Sequence, residues 1–306
     1  MPLLLTSAIE TVQRDSVISF PFLNLTLDPP AYFTLFGLRI YFYGVLIALG
    51  FLLGILYCAK HAPDYGIKSD DFYDFILWLI PLCILGARLY YVLFRLDYYL
   101  AYPGEILAIR DGGLAIYGGI IAGILVAAVV CKKKKIPLPA LLDLTVFGLL
   151  IGQIIGRWGN FMNREAFGAV TDIFCRMGLT DPSGRTIYVH PTFLYESLWN
   201  LVGFLALRVW TRRRRRRYDG QGLLLYFFWY GLGRAWIEGL RTDSLMLGST
   251  GIRVSQLLSA VLCLGSLAIL LLQARRAHKP EELYVNRINA VSGVDPTKEN
   301  IGGNTP

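Results

Sequence analysis

Residues 139–168 read PALLDLTVFGLLIGQIIGRWGNFMNREAFG. The first part, Pro139 to Ile155, is an almost unbroken apolar run of the kind that crosses a membrane as a helix. The second part, Gly156 to Gly168, places two arginines, two asparagines and a glutamate among glycines and aromatic residues. A helix end that only leaves a membrane needs one or two anchoring charges. We therefore interpret this polar stretch as one wall of a functional site.

The composition surrounding this stretch is that of a membrane protein. Of the 306 residues, 55% are hydrophobic and 17% are charged, and the mean hydropathy is +0.48. Seven long apolar runs are present: Phe33 to Ala59, Phe72 to Phe94, Leu114 to Cys131, Pro139 to Ile155, Thr192 to Trp210, Leu223 to Leu240 and Val254 to Leu272. Lipid does not tolerate unpaired backbone groups, so each run predicts a helix. We expect an all-α polytopic membrane protein with seven transmembrane helices and an extracytoplasmic loop region between helices four and five.

The charge pattern predicts the orientation. The net charge of +8 comes largely from Lys132 to Lys135 and Arg212 to Arg217, each of which follows an apolar run. This placement indicates membrane topology and excludes a nucleic-acid partner. Because short loops rich in Lys and Arg face the cytoplasm, the amino terminus is predicted outside and the carboxyl terminus inside.

This topology predicts three regions. Residues 1–32 form an extracytoplasmic segment that does not resemble a cleaved signal peptide. Residues 33–273 form the seven-helix catalytic domain, in which 156–191 is an extracytoplasmic signature loop and cap. Residues 274–306 are expected to be a disordered cytoplasmic tail. The five cysteines lack paired spacings, which predicts neither a disulfide framework nor a metal site.

Unusual polar residues fall at one predicted depth, near the outer leaflet. An ionisable side chain inside a span is costly unless it is paired or lies in a wet cavity. Six of the seven predicted helices contribute such groups at this level: Tyr41 and Tyr43, Arg88, residues 111–119, Arg157 and Asn160, Glu196, and Arg234 and Glu238. We expect these residues to form a shared site.

Several motifs resemble those of a known family. The pattern Gly156-Arg157-x-Gly159-Asn160-Phe161-x-Asn163-x-Glu165-x-x-Gly168 resembles the signature of the prolipoprotein diacylglyceryl transferases of bacteria. Further blocks are similar, in the family's order: Phe42-Tyr43-Gly44, Arg110-Asp111-Gly112-Gly113-Leu114 with Gly118-Gly119, His190-Pro191-x-x-x-Tyr195-Glu196, and Tyr230-Gly231-x-x-Arg234-x-x-x-Glu238-x-x-Arg241. The resemblance covers about Leu38 to Leu272.

This resemblance implies a multi-pass enzyme of the bacterial cytoplasmic membrane that needs no cofactor. Its lipid substrate is phosphatidylglycerol, and its protein substrate is a prolipoprotein signal peptide with a lipobox cysteine. The cysteine thiol takes the diacylglyceryl group as a thioether, and glycerol phosphate is released. The resemblance assigns Arg157 to the phospholipid headgroup, and Arg234 is our second candidate because guanidinium binds phosphate oxygens bidentately and stays charged.

Each of these residues also has a structural interpretation. Arg157 is compatible with a boundary arginine whose side chain reaches the interface, and Arg234 with an ion pair to Glu238 one helical turn away. Asn160 either contacts the headgroup or hydrogen-bonds within the loop. Glu165 is either a general base or a group that orients Arg157 or Arg164; the second is favoured.

The remaining candidates have mainly supporting roles. Gly159 and Gly168 are expected to allow close approaches that a side chain would prevent. Asn163 can donate hydrogen bonds to phosphate or backbone oxygens. His190 and Glu196 are interpreted first as a helix start and as a buried partner of an arginine. Tyr43 is expected to hydrogen-bond the phosphate or the thiol, or alternatively to be an aromatic-belt residue.

Tyr117 departs from part of the family. Some members have a histidine at this position, which has been assigned as a base, whereas a tyrosine with a pKa near 10 is a poor base at neutral pH. Tyr117 is therefore expected to hydrogen-bond the phosphate or the thiol.

Two other functions fit some of these features. A transporter of a small anionic solute would use the arginines as its binding site, but repeated halves, which many transporters have, are not visible in the sequence. A non-catalytic scaffold is the second alternative, and the presence of Arg157, Asn160, Glu165 and Arg234 argues against it.

Overall fold

A computed structural model describes residues 16–109, 112–212, 215–241 and 253–292. Within these ranges, seven helices are 19 residues or longer: α1 (Phe42–His61), α2 (Ser69–Leu93), α4 (Ile116–Lys134), α5 (Leu138–Asn163), α6 (Thr192–Arg212), α7 (Gln221–Leu240) and α8 (Val254–Ala274). Two shorter helices are α3 (Leu96–Ala101) and α9 (Tyr284–Ser292). Each long helix coincides with one predicted apolar run.

Membrane spans are indicated for five of these described helices. By length and composition, α1, α2, α4, α5 and α8 are apolar enough to cross a bilayer. Their outer faces expose large apolar side chains such as Leu77, Ile116 and Val261, as lipid contact requires. Helices α6 and α7 contain the charged residues Glu196, Arg234 and Glu238 and fall short of this apolarity. The protein is a multi-pass membrane protein.

Two small β-sheets correct the all-α prediction. Strands β1 (Val17–Phe20), β2 (Leu25–Leu27), β5 (Met177–Thr180) and β6 (Thr186–Val189) form an antiparallel sheet in the order β2-β1-β5-β6. Strands of three or four residues are far shorter than the apolar runs that predict spans, so the search for spans does not detect them.

A hairpin replaces the predicted start of the first span. Strands β3 (Tyr32–Leu35) and β4 (Leu38–Tyr41) pair directly before α1 begins at Phe42. The turn residues Phe36 and Gly37 have positive φ values of 50° and 80°, which the helical conformation does not allow. The prediction of a helix from Phe33 was wrong over residues 33–41, because apolarity alone does not separate a strand from a helix.

Helix α5 extends further than predicted. The apolar run ends at Ile155, yet the helix continues through Gly156, Gly159 and Asn160 to Asn163. The first half of the signature is therefore helical, and the loop begins at Arg164. Arg164 and Ala166 then adopt positive φ values of 54° and 57° and redirect the chain.

The chain divides into two compact units. The first comprises residues 1–54, 146–216 and 221–277. Its core beneath the four-stranded sheet joins the sheet to the ends of α5 and α6 through eight buried residues: Ile18, Phe20, Phe161, Phe167, Met177, Leu179, Val189 and Phe193. In the same unit, α7 approaches α8 closely at Gly231, where a Cβ would lie 2.6 Å from the Ser259 carbonyl oxygen. The sheet thus packs on the helix ends that carry the signature.

The second unit comprises residues 55–145, 217–220 and 278–306. Helices α2 and α4 approach closely at Gly86 and Gly118, where a Cβ on Gly118 would lie 2.3 Å from the Gly86 carbonyl oxygen. Buried Arg88 donates to four backbone carbonyls, at Glu105, Ile106, Gly112 and Gly113, over 2.6–3.0 Å. Arg88 thereby fixes the connection between α3 and α4.

The carboxyl-terminal tail contains structure that differs from the expected disorder. Helix α9 covers Tyr284–Ser292, and the Tyr284 backbone N–H donates to Asp219 Oδ2 at 2.9 Å. A Cβ on Gly66 would lie 2.9 Å from the Val285 Cα, so α9 packs closely against the backbone at Gly66. Residues 293–306 lie outside the described part of the chain.

Candidate functional site

Glu196 in the first turns of α6 is the centre of a cluster of arginines. Its side chain is only 6% exposed. The carboxylate oxygen Oε2 lies 2.7 Å from Arg157 Nη2, and Oε1 lies 2.9 Å from Arg234 Nη1 and 3.5 Å from Arg241 Nη1. One carboxylate from α6 therefore holds guanidinium groups from α5, α7 and the residue directly after α7.

Glu238 provides the second carboxylate. It lies one turn after Arg234 on α7, and its Oε2 is 2.6 Å from Arg234 Nη2. The Ser255 hydroxyl donates to Glu238 Oε1 at 2.5 Å, and Arg253 donates to the Glu238 backbone carbonyl. The i,i+4 ion pair expected from the sequence is present, and the same guanidinium also reaches Glu196. Arg234 is therefore held between two carboxylates.

The cluster has an excess of positive charge. Three guanidinium groups, those of Arg157, Arg234 and Arg241, meet the carboxylates of Glu196 and Glu238. The arginine side chains are 24%, 16% and 11% exposed, whereas the carboxylates are 6% and 2% exposed. The arginines thus keep accessible edges and a net charge that suit a phosphate.

Asn160 and Glu165 extend the cluster along the signature. Arg157 Nη1 donates to Asn160 Oδ1 at 3.2 Å, and Asn160 Nδ2 donates to Glu165 Oε1 at 2.9 Å. Glu165 is exposed and, among the described residues, is connected to Arg157 through this amide. Arg164 instead points to the amino-terminal segment, with hydrogen bonds to Ser16, Asp28 and Pro29. Of the two arginines that Glu165 was expected to orient, it is thus connected to Arg157.

Tyr43 lies directly against the signature helix. It occupies the first turn of α1 and is 37% exposed. A Cβ on Gly159 would lie 2.8 Å from Tyr43 Cδ2, so the ring occupies the space that a side chain would fill. The close approach expected at Gly159 is therefore one between α1 and α5, two residues from Arg157.

Gly168 and His190 join the signature loop to the start of α6. The Gly168 N–H donates to the His190 carbonyl at 2.9 Å, and a Cβ on Gly168 would lie 2.6 Å from the His190 Cβ. The His190 ring contacts the Tyr195 hydroxyl at 3.5 Å. Burial lowers the pKa of His190 below its usual value, so the ring is neutral at pH 7. These contacts place His190 in a structural role before α6.

A pair of tryptophans aligns α6 with α7. Trp199 and Trp229 stack with ring centroids 4.2 Å apart, and each indole N–H donates to the other's backbone carbonyl, at 3.0 and 2.9 Å. Trp199 lies against Gly233 and Trp229 against Gly203, at distances that leave no room for a Cβ. Since Trp199 follows Glu196 by one turn and Gly233 precedes Arg234, this pair fixes the two charged groups relative to each other. Sequence reasoning missed both tryptophans.

Two other predicted positions, Asn163 and Tyr117, form none of these contacts within the described residues. Asn163 ends α5, and its side chain forms no hydrogen bond to the arginines within the described residues. Tyr117 belongs to the second unit, in the first turn of α4, with its ring centroid 6.4 Å from that of Tyr90. Arg110 and Asp111 lie outside the described residues.

Comparison with known proteins gives a consistent result. The family profile for prolipoprotein diacylglyceryl transferase matches residues 30–272. The chain is 45% identical over 257 residues to the phosphatidylglycerol–prolipoprotein diacylglyceryl transferase of Limosilactobacillus reuteri strain DSM 20016, covering 82% of this chain and 92% of that protein. It is 44% identical over 255 residues to the protein of the same name in Lactiplantibacillus plantarum, covering 81% and 89%. The corresponding protein of Streptococcus equi subsp. zooepidemicus strain MGCS10565 is 45% identical over 262 residues, covering 83% and 98%.

Proposed function

Because the chain belongs to the prolipoprotein diacylglyceryl transferase family, we propose that it transfers the diacylglyceryl group of phosphatidylglycerol to the lipobox cysteine of prolipoproteins. The products are a thioether and glycerol phosphate, and the reaction is the first step of lipoprotein maturation. The observation that carries this proposal is the arrangement of three arginines around Glu196, which provides a partly open cationic site for a phosphate. The alternative of an anion transporter has no comparable support.

The arginines match the charge that develops during the reaction. The cysteine sulfur attacks the glyceryl carbon next to the phosphate, so an S–C bond forms and a C–O bond breaks. The bond electrons leave with the phosphate, which changes from a diester with one negative charge to a monoester that gains a second. Guanidinium groups held by Glu196 and Glu238 do not need to reorganise when this charge appears, so they stabilise the transition state more than the bound lipid.

The thiol proton requires an acceptor. A free thiol near pKa 8.5 is only a few per cent ionised at pH 7, and nearby arginines favour the thiolate. Glu196 and Glu238 are paired with arginines, whereas Glu165 accepts from the Asn160 amide and is exposed. Proton transfer from a free thiol to a glutamate with an ordinary pKa is uphill by about four pKa units, or about 6 kcal/mol. We assign Glu165 as the candidate acceptor, acting with the arginine field, and Tyr117 as an orienting hydroxyl.

The membrane arrangement that we propose has seven spans. Helices α6 and α7 add two spans to the five apolar ones. Their charged residues belong to the cluster around Glu196. With the amino terminus outside and the carboxyl terminus in the cytoplasm, Lys132 to Lys135 lie on the cytoplasmic side, which agrees with the positive-inside rule. Tyr43 and Asn160 then lie beside the phosphate site, near the outer leaflet of the bacterial cytoplasmic membrane.

Purified protein in vesicles that contain phosphatidylglycerol tests this function. A lipobox peptide is the acceptor, and the mass of a diacylglyceryl group added to its cysteine is the product signal. We expect Arg157→Ala to lower turnover by at least about a hundredfold, as removal of one transition-state donor does in other enzymes. Arg95→Ala is the matched control, because it removes an exposed arginine whose side chain donates a hydrogen bond to the Tyr91 hydroxyl. This variant is expected to leave turnover unchanged.

Two outcomes would overturn these assignments. Folded wild-type protein that yields no thioether contradicts the transferase function, and wild-type turnover in Arg157→Ala contradicts the phosphate site. Tyr117→Phe is expected to retain measurable turnover. Complete loss of turnover in that variant with lipid binding intact would make the Tyr117 hydroxyl essential.

A further inference from the structure

The hairpin before α1 has two chemically different faces. Strands β3 and β4 pair Tyr32 with Tyr41, Phe33 with Ile40, Thr34 with Arg39 and Leu35 with Leu38. Because side chains alternate between faces along a strand, four apolar residues share one face, namely Phe33, Leu35, Leu38 and Ile40. The other face carries the two tyrosines, Thr34 and Arg39. The hairpin is therefore amphipathic from end to end.

The two faces have the composition of an element that lies at a membrane surface. On the polar face, the Arg39 guanidinium lies 5.1 Å from the Tyr32 ring centroid, and the Tyr32 and Tyr41 rings are 5.7 Å apart. Tyrosine and arginine are enriched at the level of the lipid headgroups. On the apolar face, Leu35 is 46% exposed and Leu38 is 70% exposed. Apolar side chains that the protein leaves uncovered require another apolar environment.

The turn residue Phe36 also indicates contact with an apolar environment. It is 96% exposed and adopts a positive φ of 50°. A two-residue turn with both central φ values positive favours Asn or Gly, and a bulky residue there costs about 1–2 kcal/mol. Among the described residues, the 96% exposure of Phe36 leaves little contact that could offset this cost. Burial of a phenylalanine side chain in lipid would offset it, at about 1.5–3 kcal/mol.

The hairpin is also connected to a membrane span. Residue Tyr41 of β4 is followed at once by Phe42 of α1, and the span begins there. The Phe33 ring on the apolar face lies 5.3 Å from the Phe42 ring, and the Phe42 N–H donates to the Ala31 carbonyl. The apolar face therefore continues onto the helix that enters the bilayer. A two-stranded hairpin is marginally stable alone and gains stability from such a surface.

We propose that residues 32–41 form an interfacial anchor, with the face of Phe33, Leu35, Leu38 and Ile40 and the tip at Phe36 in the lipid, and with the tyrosine and arginine face in water. The partner is a glycerophospholipid bilayer. Since Tyr43 follows the hairpin within two residues and packs on Gly159, the anchor holds this tyrosine at the level of the headgroups. The membrane contact itself does not depend on the proposed function.

Tryptophan substitutions in reconstituted protein measure the depth of the two faces. Phe36→Trp reports on the tip, and Thr34→Trp on the polar face is the matched control. The emission of wild-type protein in the same vesicles is subtracted from both. For Phe36→Trp we expect a blue-shifted added emission that is quenched by phospholipids spin-labelled high on the acyl chain and protected from aqueous acrylamide. For Thr34→Trp we expect the opposite pattern.

Two results would overturn the anchor. Acrylamide quenching of Phe36→Trp without lipid quenching places the tip in water, and protection from both quenchers means that protein covers it, as in contact with a second copy. Neither result bears on catalysis, because the measurement does not require turnover.

Phe36→Asn then separates the lipid contact from the turn itself. Asparagine is favoured at this turn position, so the hairpin fold is retained while the apolar tip is lost. In vesicles we expect at least a threefold rise in the apparent KM for phosphatidylglycerol, with a smaller change in detergent micelles. An unchanged KM in vesicles would contradict the link between the anchor and Tyr43, while the tryptophan quenching would still decide whether the tip is in lipid.

Discussion

Gly159 sets the distance between Tyr43 and the helix that carries Arg157. An alanine at this position would place its Cβ 2.8 Å from Tyr43 Cδ2 and 3.3 Å from Cε2. Both distances are shorter than ordinary van der Waals contact, and the ring cannot yield without moving away from α5. Overpacking of this kind typically costs about 1–3 kcal/mol. Gly159→Ala is therefore expected to lower both the midpoint temperature of unfolding and the rate of diacylglyceryl transfer.

Gly152→Ala is the matched control on the same helix. A Cβ at Gly152 would meet no atom of a described residue outside its own helix within 4 Å, and alanine favours a helix over glycine by about 1 kcal/mol. The control is expected to unfold at the same temperature as wild type or higher, with unchanged turnover. Equal effects of the two substitutions on the unfolding temperature and turnover would show that the Tyr43 contact does not determine the response at Gly159.

At the level of single residues, the sequence predicts the charged groups better than the groups that align them. The i,i+4 spacing of Arg234 and Glu238 is visible in the sequence, and so is the cost of a lone Glu196 inside an apolar run. Trp199 and Trp229 were missed because a tryptophan in a membrane helix usually reads as an interfacial residue. Their partners Gly233 and Gly203 lie on the opposite helices, and sequence spacing contains no information about that pairing.

At the level of helices and strands, the close pairing of α2 with α4 depends on Gly86 and Gly118. A Cβ on Gly118 would lie 2.3 Å from the Gly86 carbonyl oxygen and 2.4 Å from the Tyr90 Cβ. Both neighbours are rigid parts of α2, so the helices would have to separate. We expect Gly118→Ala to lower the midpoint temperature of unfolding in detergent, with a loss of about 1–3 kcal/mol.

The next residue provides the control for this prediction. Gly119→Ala would bring its Cβ to 3.6 Å from the Cys83 carbonyl oxygen and 3.8 Å from the Ala87 Cβ, which are ordinary contacts. This variant is expected to be as stable as wild type. If both variants lose the same stability, the close approach of Gly118 to Gly86 and Tyr90 is not the cause of the loss.

The sequence predicts where the helices are better than where they begin and end. The apolar runs predicted the positions of the seven long helices in the described part of the chain, and five of these helices are long and apolar enough to cross a bilayer. Apolar length does not separate the hairpin at residues 32–41 from α1, nor show that α5 continues to Asn163. Those ends depend on local turn geometry at Phe36, Gly37 and Arg164, and hydropathy does not report backbone conformation.

At the scale of the first unit, the amino-terminal segment is joined to the end of α5. Strand β1 pairs with β5 across a sequence separation that no local pattern reveals, and Arg164 reaches back to Ser16. The sequence predicted only an extracytoplasmic segment for residues 1–32. Pairing between distant segments is decided by the tertiary fold, so it could not be predicted from one sequence.

The Arg164 side chain joins the amino-terminal segment to the end of α5. This side chain is 4% exposed and donates to the carbonyls of Ser16, Met162 and Pro29 at 2.7, 3.1 and 2.9 Å, and to Asp28 Oδ1 at 2.7 Å. A lysine ammonium has three N–H donors and lacks the planar fork, so Arg164→Lys leaves at least one of these four acceptors without a donor. Each unsatisfied buried group costs about 1–3 kcal/mol.

We therefore expect Arg164→Lys to destabilise the protein by about 1–3 kcal/mol, measured as a lower midpoint temperature of unfolding in detergent. Asp28→Asn tests whether the ion pair or the carbonyls carry this effect. Because the Asp28 side chain is 70% exposed, the ion pair contributes at most about 1 kcal/mol, and this variant is expected to remain close to wild type. A loss of stability in Asp28→Asn as large as that in Arg164→Lys would mean that charge pairing, and not the set of backbone acceptors, holds the amino-terminal segment to α5.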